Sequence, residues 1–344
     1  MQHQITTSTP LLDEQGHLNE PGYAKHLLPI YDRKAIKANR WRIKEWDYYY
    51  IGNDKYGVAL TIADNSYMGL DSISLLDFGE NPWEQTTSQM SWLTNGKVGF
   101  PATSETGDVF HSGKKHAMYF HNDGEKRILE FSMDNFKDGK PIKGRIEMEN
   151  PKGESMVIVT PFAGYPKHFY YNQKINCLPA KGVVEFDGVE YTFSPEDSFG
   201  VLDWGRGVWT YENTWYWGSA SGAVDGVPFG FNIGYGFGDT SAASENMLFY
   251  NHKAHKLDQV TFHIPMGETE EDYMSPWTFT SNDGRFEMEF EPIIDRHADT
   301  NVGIIRSNQH QVFGKFNGKA ILDDGTVIEI KDFLGFAEKV YNKW

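Results

Sequence analysis

The chain has 344 residues, 39% of them hydrophobic and 15% aromatic, and a formal charge of −16. That length suits about two domains of ~150 residues, and the rich aromatic content argues against global disorder. The acidic balance, with no basic run, argues against phosphate-backbone binding and against docking on an anionic membrane.

The opening stretch "MQHQITTSTPLLDEQGHLNEPG" has no apolar core of a signal peptide. No window approaches the ~20 apolar residues of a membrane span. The expectation is a soluble, cytoplasmic protein without membrane insertion. "GYAKHLLPIYDRKAI" predicts a short helix interrupted at Pro29. "RWRIKEWDYYY" then mixes Arg42, Lys44 and Glu45 with Trp46 and three tyrosines, which cross-strand pairing on a solvated sheet explains without any site.

Beyond this point the patterning has period two. Asp-Gly pairs begin at Asp123, Asp138, Asp187, Asp225, Asp283 and Asp324, and this dipeptide suits the positive backbone angles of tight hairpins. "VVEFDGVEYTF", "NDGRFEMEF" and "ILDDGTVIEI" each alternate apolar residues around such a turn, and "MLFYNHKAHKLDQVTFHI" reads as strand, turn, strand. The chain is therefore predicted to be all-β, built of antiparallel barrels or sandwiches. Pro179 and Gly182 in "KINCLPAKG" suggest a boundary. Residues 1–180 would form an N-terminal barrel-like domain and 181–344 a C-terminal one. Cys177 is the only cysteine, so neither an internal disulfide nor a multi-cysteine metal site can form.

The densest segment is "LDWGRGVWTYENTWYWGSASG", Leu202 to Gly222. Read as strands, it puts Trp209 and Tyr211 on one face, and Trp215, Trp217 and Ser219 on one face. Such aromatics either fill a core or line a pocket. Asp203 and Arg206 stand just before them. Desolvation by the rings would raise the carboxylate's pKa, and the guanidinium would lower it. In "GFNIGYGFGD", Gly230, Asn232, Gly234, Gly236 and Gly238 share a face, which suits either a cavity wall or a tight barrel bend. Glu245 and Asn246 follow near the end of that wall. Asp295, Arg296, His297 and Asp299 cluster later. His310 lies on a further strand, where a histidine is more often structural than catalytic. Asp332 and Glu338 close the chain. "GSASG" is not a nucleophile elbow, and no zinc-protease motif or P-loop is present. His252 and His255 are too few to specify a metal site and read as hairpin histidines. No metal and no cofactor is expected.

The series "RIKEWDYY", "YYNQK", "VLDWGRGVWTYENTWYWGSASG", "PWTFTSNDGRFEMEFEPIIDR", "HQVFGKFNG" and "DFLGFAEKVYNKW" resembles a bacterial family catalogued only as a domain of unknown function. That family is similar to the calycin-like two-barrel proteins, which include hydroxyneurosporene synthase, the carotenoid 1,2-hydratase. The resemblance aligns "GVVEFDG" with a family hairpin, Asp203 with the Asp of an Asp-His-Asn-Trp-Gly segment, and Trp215, Trp217 and Gly218 with a Trp-x-Trp-Gly strand. The segment departs after Asp203, where Trp204, Gly205 and Arg206 replace His, Asn and Trp. The resemblance implies two lipocalin-like barrels with a cavity in or between them. It does not transfer carotenoid chemistry.

Two main functions stay open. One is a cofactor-independent acid–base enzyme of hydratase, isomerase or cyclase type, acting on an apolar or aromatic-stacking small molecule. There Asp203, Arg206 and Glu245 would be catalytic, and Tyr211, Trp215, Trp217, Ser219, Asn232, Asn246 and His310 would bind substrate. The other is a binding protein for a lipid or similar ligand, in which Asp203 and Arg206 form a structural latch. Carbohydrate recognition by the tryptophans is a third option.

Overall fold

The computed structural model describes residues 2–303 and 305–344. It consists of two curled antiparallel sheets, each a half-barrel, consistent with two calycin-like barrels. The first sheet takes β1 (Gly22–Ala24), β2 (Ile43–Gly52), β3 (Tyr56–Asp64), β4 (Met68–Asp77), β5 (Trp83–Trp92), β6 (Val109–Ser112) and β7 (His116–Asn122). It continues with β8 (Lys126–Lys137), β9 (Lys140–Glu149), β10 (Met156–Phe162), β11 (Tyr165–Phe186), β12 (Val189–Phe193) and β13 (Phe199–Val208). The second takes β14 (Glu212–Val224), β15 (Val227–Tyr235), β16 (Met247–Tyr250), β17 (Lys253–Lys256) and β18 (Val260–His263). Its last strands are β19 (Trp277–Ser281), β20 (Phe286–Val302), β21 (Ile305–Ile321) and β22 (Val327–Lys343).

The main path of the first sheet is β5-β4-β3-β2-β13-β11-β9-β8-β7-β6. The second runs β17-β16-β15-β14-β22-β21-β20-β19-β18. Residue 180 falls inside β11, and the chain changes sheet between Val208 and Glu212. The helix predicted around Pro29 does not form. That segment instead holds the short strand β1 and a single 3-10 turn at Arg33–Ala35, capped by the Asp32 carboxylate. Pro29 removes a backbone donor, and the run is too short to nucleate an α-helix against that loss. Among the described residues, no helix is long and apolar enough to cross a membrane.

Every Asp-Gly pair sits in a turn between consecutive strands. At Asp138, Asp187 and Asp225 both the Asp and its Gly have positive φ, the conformation whose twist matches that of the flanking strands. Three of the six Asp-Gly turns have this conformation, and all six lie in hairpins whose register they help to fix locally.

Each sheet buries its own apolar interior. Tyr171, Phe169, Phe131, Leu202 and Trp204 lie in the first core, and Phe229, Phe231, Trp277, Phe279, Phe286 and Phe316 in the second. Each fully buried ring contributes roughly 4 kcal/mol at ~25 cal/mol per Å² before ordering entropy is offset. The outer faces of β2, β13 and β11 pack against β14, β15 and β22. That seam holds Trp46, Tyr48, Tyr50, Val201, Trp215, Trp217, Phe313 and Phe336. β13 lies in the middle of this arrangement and is buried along its whole length. Leu202, Trp204 and Val208 enter the first core, while Val201 and Asp203 face the second sheet.

Gly205 belongs to the seam face of β13. A Cβ there would lie 1.9 Å from Trp46 Cζ2, so the tryptophan ring covers the position. Gly205→Ala is expected to destabilise the fold by at least about 1–3 kcal/mol through overpacking, read as a lower urea midpoint with an unchanged m-value.

Candidate functional site

Residues directly opposite one another in an antiparallel ladder share a face. On the first sheet this puts Tyr48, Asp203 and Lys174 in one row across β2, β13 and β11. On the second it puts Arg296, Gln311, Glu338, Trp217 and Gly234 in one row across β20, β21, β22, β14 and β15. The rows meet at the seam. The Lys174 ammonium stands 3.8 Å from the centroid of the Trp217 ring. Tyr48 meets the same ring edge-on at 5.8 Å. Arg296 crosses the seam to donate to Ser74 Oγ at 2.7 Å.

Asp203 is held by two donors, both on β11. Lys174 Nζ lies 2.8 Å and Asn172 Nδ2 2.6 Å from its Oδ1. Both charged side chains are buried, at 3% and 10% exposure, so each depends on the other for compensation. Glu338 receives Trp215 Nε1 and Gln311 Nε2, each at 2.9 Å. Trp217 Nε1 donates to Asn232 Oδ1 at 2.7 Å, and Asn232 Nδ2 reaches the Glu245 backbone carbonyl at 2.8 Å. A Cβ on Gly234 would sit 2.7 Å from Glu245 Oε1, so the glycine makes room for that carboxylate.

These groups sense one another electrostatically. Burial pushes Glu338 up to about 7, against the pull of Trp215, Arg296 and Lys174, and the Asp203 charge adds to the rise. Burial also raises Glu245, opposed first by Lys174. Tyr48 is raised by burial as well. Asn172 Oδ1 and Gln311 Oε1 are buried polar atoms of this seam without a hydrogen-bond partner, while the Tyr48 hydroxyl faces the Gln311 amide. Such atoms are uncommon in folded proteins.

The expected site residues separate into two groups. Asp203, Trp215, Trp217, Asn232 and Glu245 are brought together at the seam. Arg206 is not with them: three residues from Asp203 on one strand, it points the opposite way. It is fully buried in the first sheet, 3.0 Å from Asp47 Oδ1 and over the ring of Trp204. The cation beside Asp203 is Lys174. Ser219 faces the seam but its Oγ accepts Asn176 Nδ2 at 2.9 Å, stapling β14 to β11. Asn246 is taken up by backbone, accepting Gly234 N and donating to the Asp258 carbonyl. Tyr211 is exposed at the passage between the sheets, near Arg42 and Lys343. His310 lies on the other face of β21, bonded to Asp295 at 2.7 Å and stacked between Tyr273 and His297. Cys177 is buried, and burial pushes its thiol up to about 12. His255 pairs with Asp323 rather than with His252.

Lys174, Tyr48, Asn172 and Gln311 were not singled out from sequence. The signal for Lys174 and Asn172 was present in "YYNQK", where a tyrosine, an amide and an amine alternate on one face of the strand. Among the described residues, the one grouping with metal-ligand character is Asp71, His111 and His116.

The chain belongs to the family described as "Domain of unknown function (DUF2804)", whose match spans residues 2–344. No curated protein sequence matches it. Its fold is similar to a solved AttH protein of Nitrosomonas europaea, with TM-score 0.53 and 13% identity, covering 92% of this chain and 98% of that one. It is also similar to kievitone hydratase of Nectria haematococca, with TM-score 0.50, 11% identity and 98% of each chain covered.

The rise of Glu338 has a stability consequence. Its folded pKa of about 7 exceeds its ordinary value of 4.5, so the folded state holds this proton more tightly than the unfolded chain. The associated stability is fully present below pH ~4.5 and is lost as pH rises toward ~7. Glu338→Gln should flatten the fall in unfolding free energy across that window, measured by urea titrations at several pH values.

Proposed function

We propose that this DUF2804 chain is an acid–base enzyme for an apolar or aromatic-stacking small molecule, with its reaction centre in the seam between the two sheets. The observation that carries this reading is the gathering of Asp203, Glu245, Glu338 and Lys174 in one buried, aromatic-walled cluster. A carboxyl group near pH 7 beside a carboxylate already paired with an ammonium gives an acid and a base in one place. One protein of this fold is a hydratase, so addition of water to a double bond is the first reaction to test.

In this reading Glu338 donates a proton to the unsaturated carbon. Asp203 takes one from the attacking water, so that the two carboxyl groups together add the elements of water. Lys174 and Asn172 hold Asp203, and Glu245 is the second carboxylate at the rim. Lys174 already occupies the face of Trp217, so positive charge developing on the substrate falls to Trp215 and Tyr48. Trp46, Trp215 and Glu245 are only partly buried, and a substrate would approach past them. Arg206 has no part in the chemistry. The scheme calls on side chains of this chain alone. A lipid carrier is less well supported, because rings such as Trp204 and Phe231 fill the sheet interiors where a carried lipid would lie.

The test is a panel of unsaturated aromatic and polyene compounds incubated with the protein in D2O, with products read by mass spectrometry. Deuterium should appear on a product carbon, and Asp203→Asn and Glu338→Gln should each slow this by ~10²–10⁴-fold. Saturable binding with no solvent deuterium in any product would instead show a binding protein and overturn the enzyme reading.

A further inference from the structure

A second cluster lies on the opposite face of the first sheet from Asp203. Asp71 on β4 shares its face with Ile73 and Leu75, which belong to the first core. His111 on β6 pairs with Met118 on β7, and His116 lies two residues from Met118, so both imidazoles leave the hairpin on one side. They meet the same oxygen. His111 Nδ1 is 2.5 Å and His116 Nε2 2.6 Å from Asp71 Oδ2. Donor atoms of the three residues all fall within 4.8 Å of one another.

The position of this cluster in the sheet is distinctive. β4 lies next to one end of the main strand path, and β7 and β6 form the other end. Among the described residues no backbone ladder joins β5 to β6. The curled sheet is bridged there by side chains: the Asp71–histidine contacts, and Thr87 Oγ1 donating to the Phe136 carbonyl on β8. A plain hydrogen-bonded latch accounts for Oδ2 but not for Oδ1. Asp71 is 2% exposed, and its Oδ1 is buried without a partner. A buried carboxylate oxygen left in that state is costly.

The geometry points to a divalent transition-metal site made by Asp71, His111 and His116, clipping the two ends of the first sheet together. Two imidazoles and a carboxylate suit zinc and its first-row neighbours, and they leave coordination positions open for water. An ion bound at ~2.0–2.1 Å from each donor sets tetrahedral donors about 3.3 Å apart. The two rings therefore need to withdraw from Asp71 by less than ~1 Å. The hairpin tip that carries them, Ser112 to Lys115, is exposed and has room to adjust. The His111 side chain is 23% exposed, which gives an ion its path from solvent. The carboxylate oxygen that has no protein partner becomes available as a ligand.

The test uses the full chain after chelator treatment, titrated with Co2+ and followed by visible absorption, with Zn2+ as competitor. One equivalent of Co2+ should saturate the signal, and Zn2+ should displace it. Loss of a ligand should weaken Co2+ by more than ~100-fold in His116→Ala and in His111→Ala, each verified as folded by tryptophan emission. His111→Gln keeps a polar tip at the more exposed position and replaces any alanine variant that fails to fold. His252→Ala should leave the signal unchanged. No saturable uptake by the folded wild-type protein would overturn the site, as would retention of wild-type affinity in both histidine variants.

Discussion

The arrangement depends on β13 being a strand with no solvent face. Alternate residues on it serve two apolar environments, the first sheet's interior and the seam. A charge on it must be compensated within the protein. Arg206 does so inward, with Asp47 and three backbone carbonyls. Asp203 does so outward, with Lys174 and Asn172. Two charges three residues apart on one strand are thus neutralised separately, on opposite sides of one sheet.

That separation makes the seam more than a packing surface. A buried ion pair is a poor device for stability, because desolvation of both charges offsets most of their attraction. The seam nevertheless keeps Lys174 with Asp203, and adds Glu338 and Glu245 from the second sheet. The second sheet also supplies the indole donors that orient the acids: Trp215 to Glu338, and Trp217 to the Asn232 that holds Glu245. Neither sheet carries the full set. The proposed chemistry would need the two half-barrels together, and the tryptophans concentrate where the chain passes from one to the other.

Much of the fold was legible in the sequence, because Asp-Gly turns and period-two patterning are local signals. The six hairpins and the all-β class follow from them directly. The site was legible only in part. Asp203, Trp215 and Trp217 stand out because their neighbours are unusual, and the glycine face around Asn232 does wall the Glu245 carboxylate. Arg206 was attached to Asp203 by proximity in sequence, although an odd spacing on a strand sends side chains to opposite faces. Lys174 and Tyr48 were missed because their relation to Asp203 exists only through cross-strand register, which sequence does not display over 29 or more residues, and Gln311 because it meets them only through packing of one sheet on the other. His310, expected among the substrate-binding residues, lies on the other face of β21, bonded to Asp295 and stacked on Tyr273. The pair His111 and His116 was overlooked for the same long-range cause, since Asp71 completes it from another strand.

The seam is a reaction centre only if a small molecule sits in it. Photoaffinity labelling with a small aryl diazirine, followed by peptide mapping, asks this most directly. Adducts concentrated on β14 around Trp215 and Trp217, and on β2 around Trp46 and Tyr48, are the predicted result. Adducts confined to the ≈ 320 Å³ pocket between Trp83, Lys137 and Tyr191, with the seam unlabelled, would contradict it.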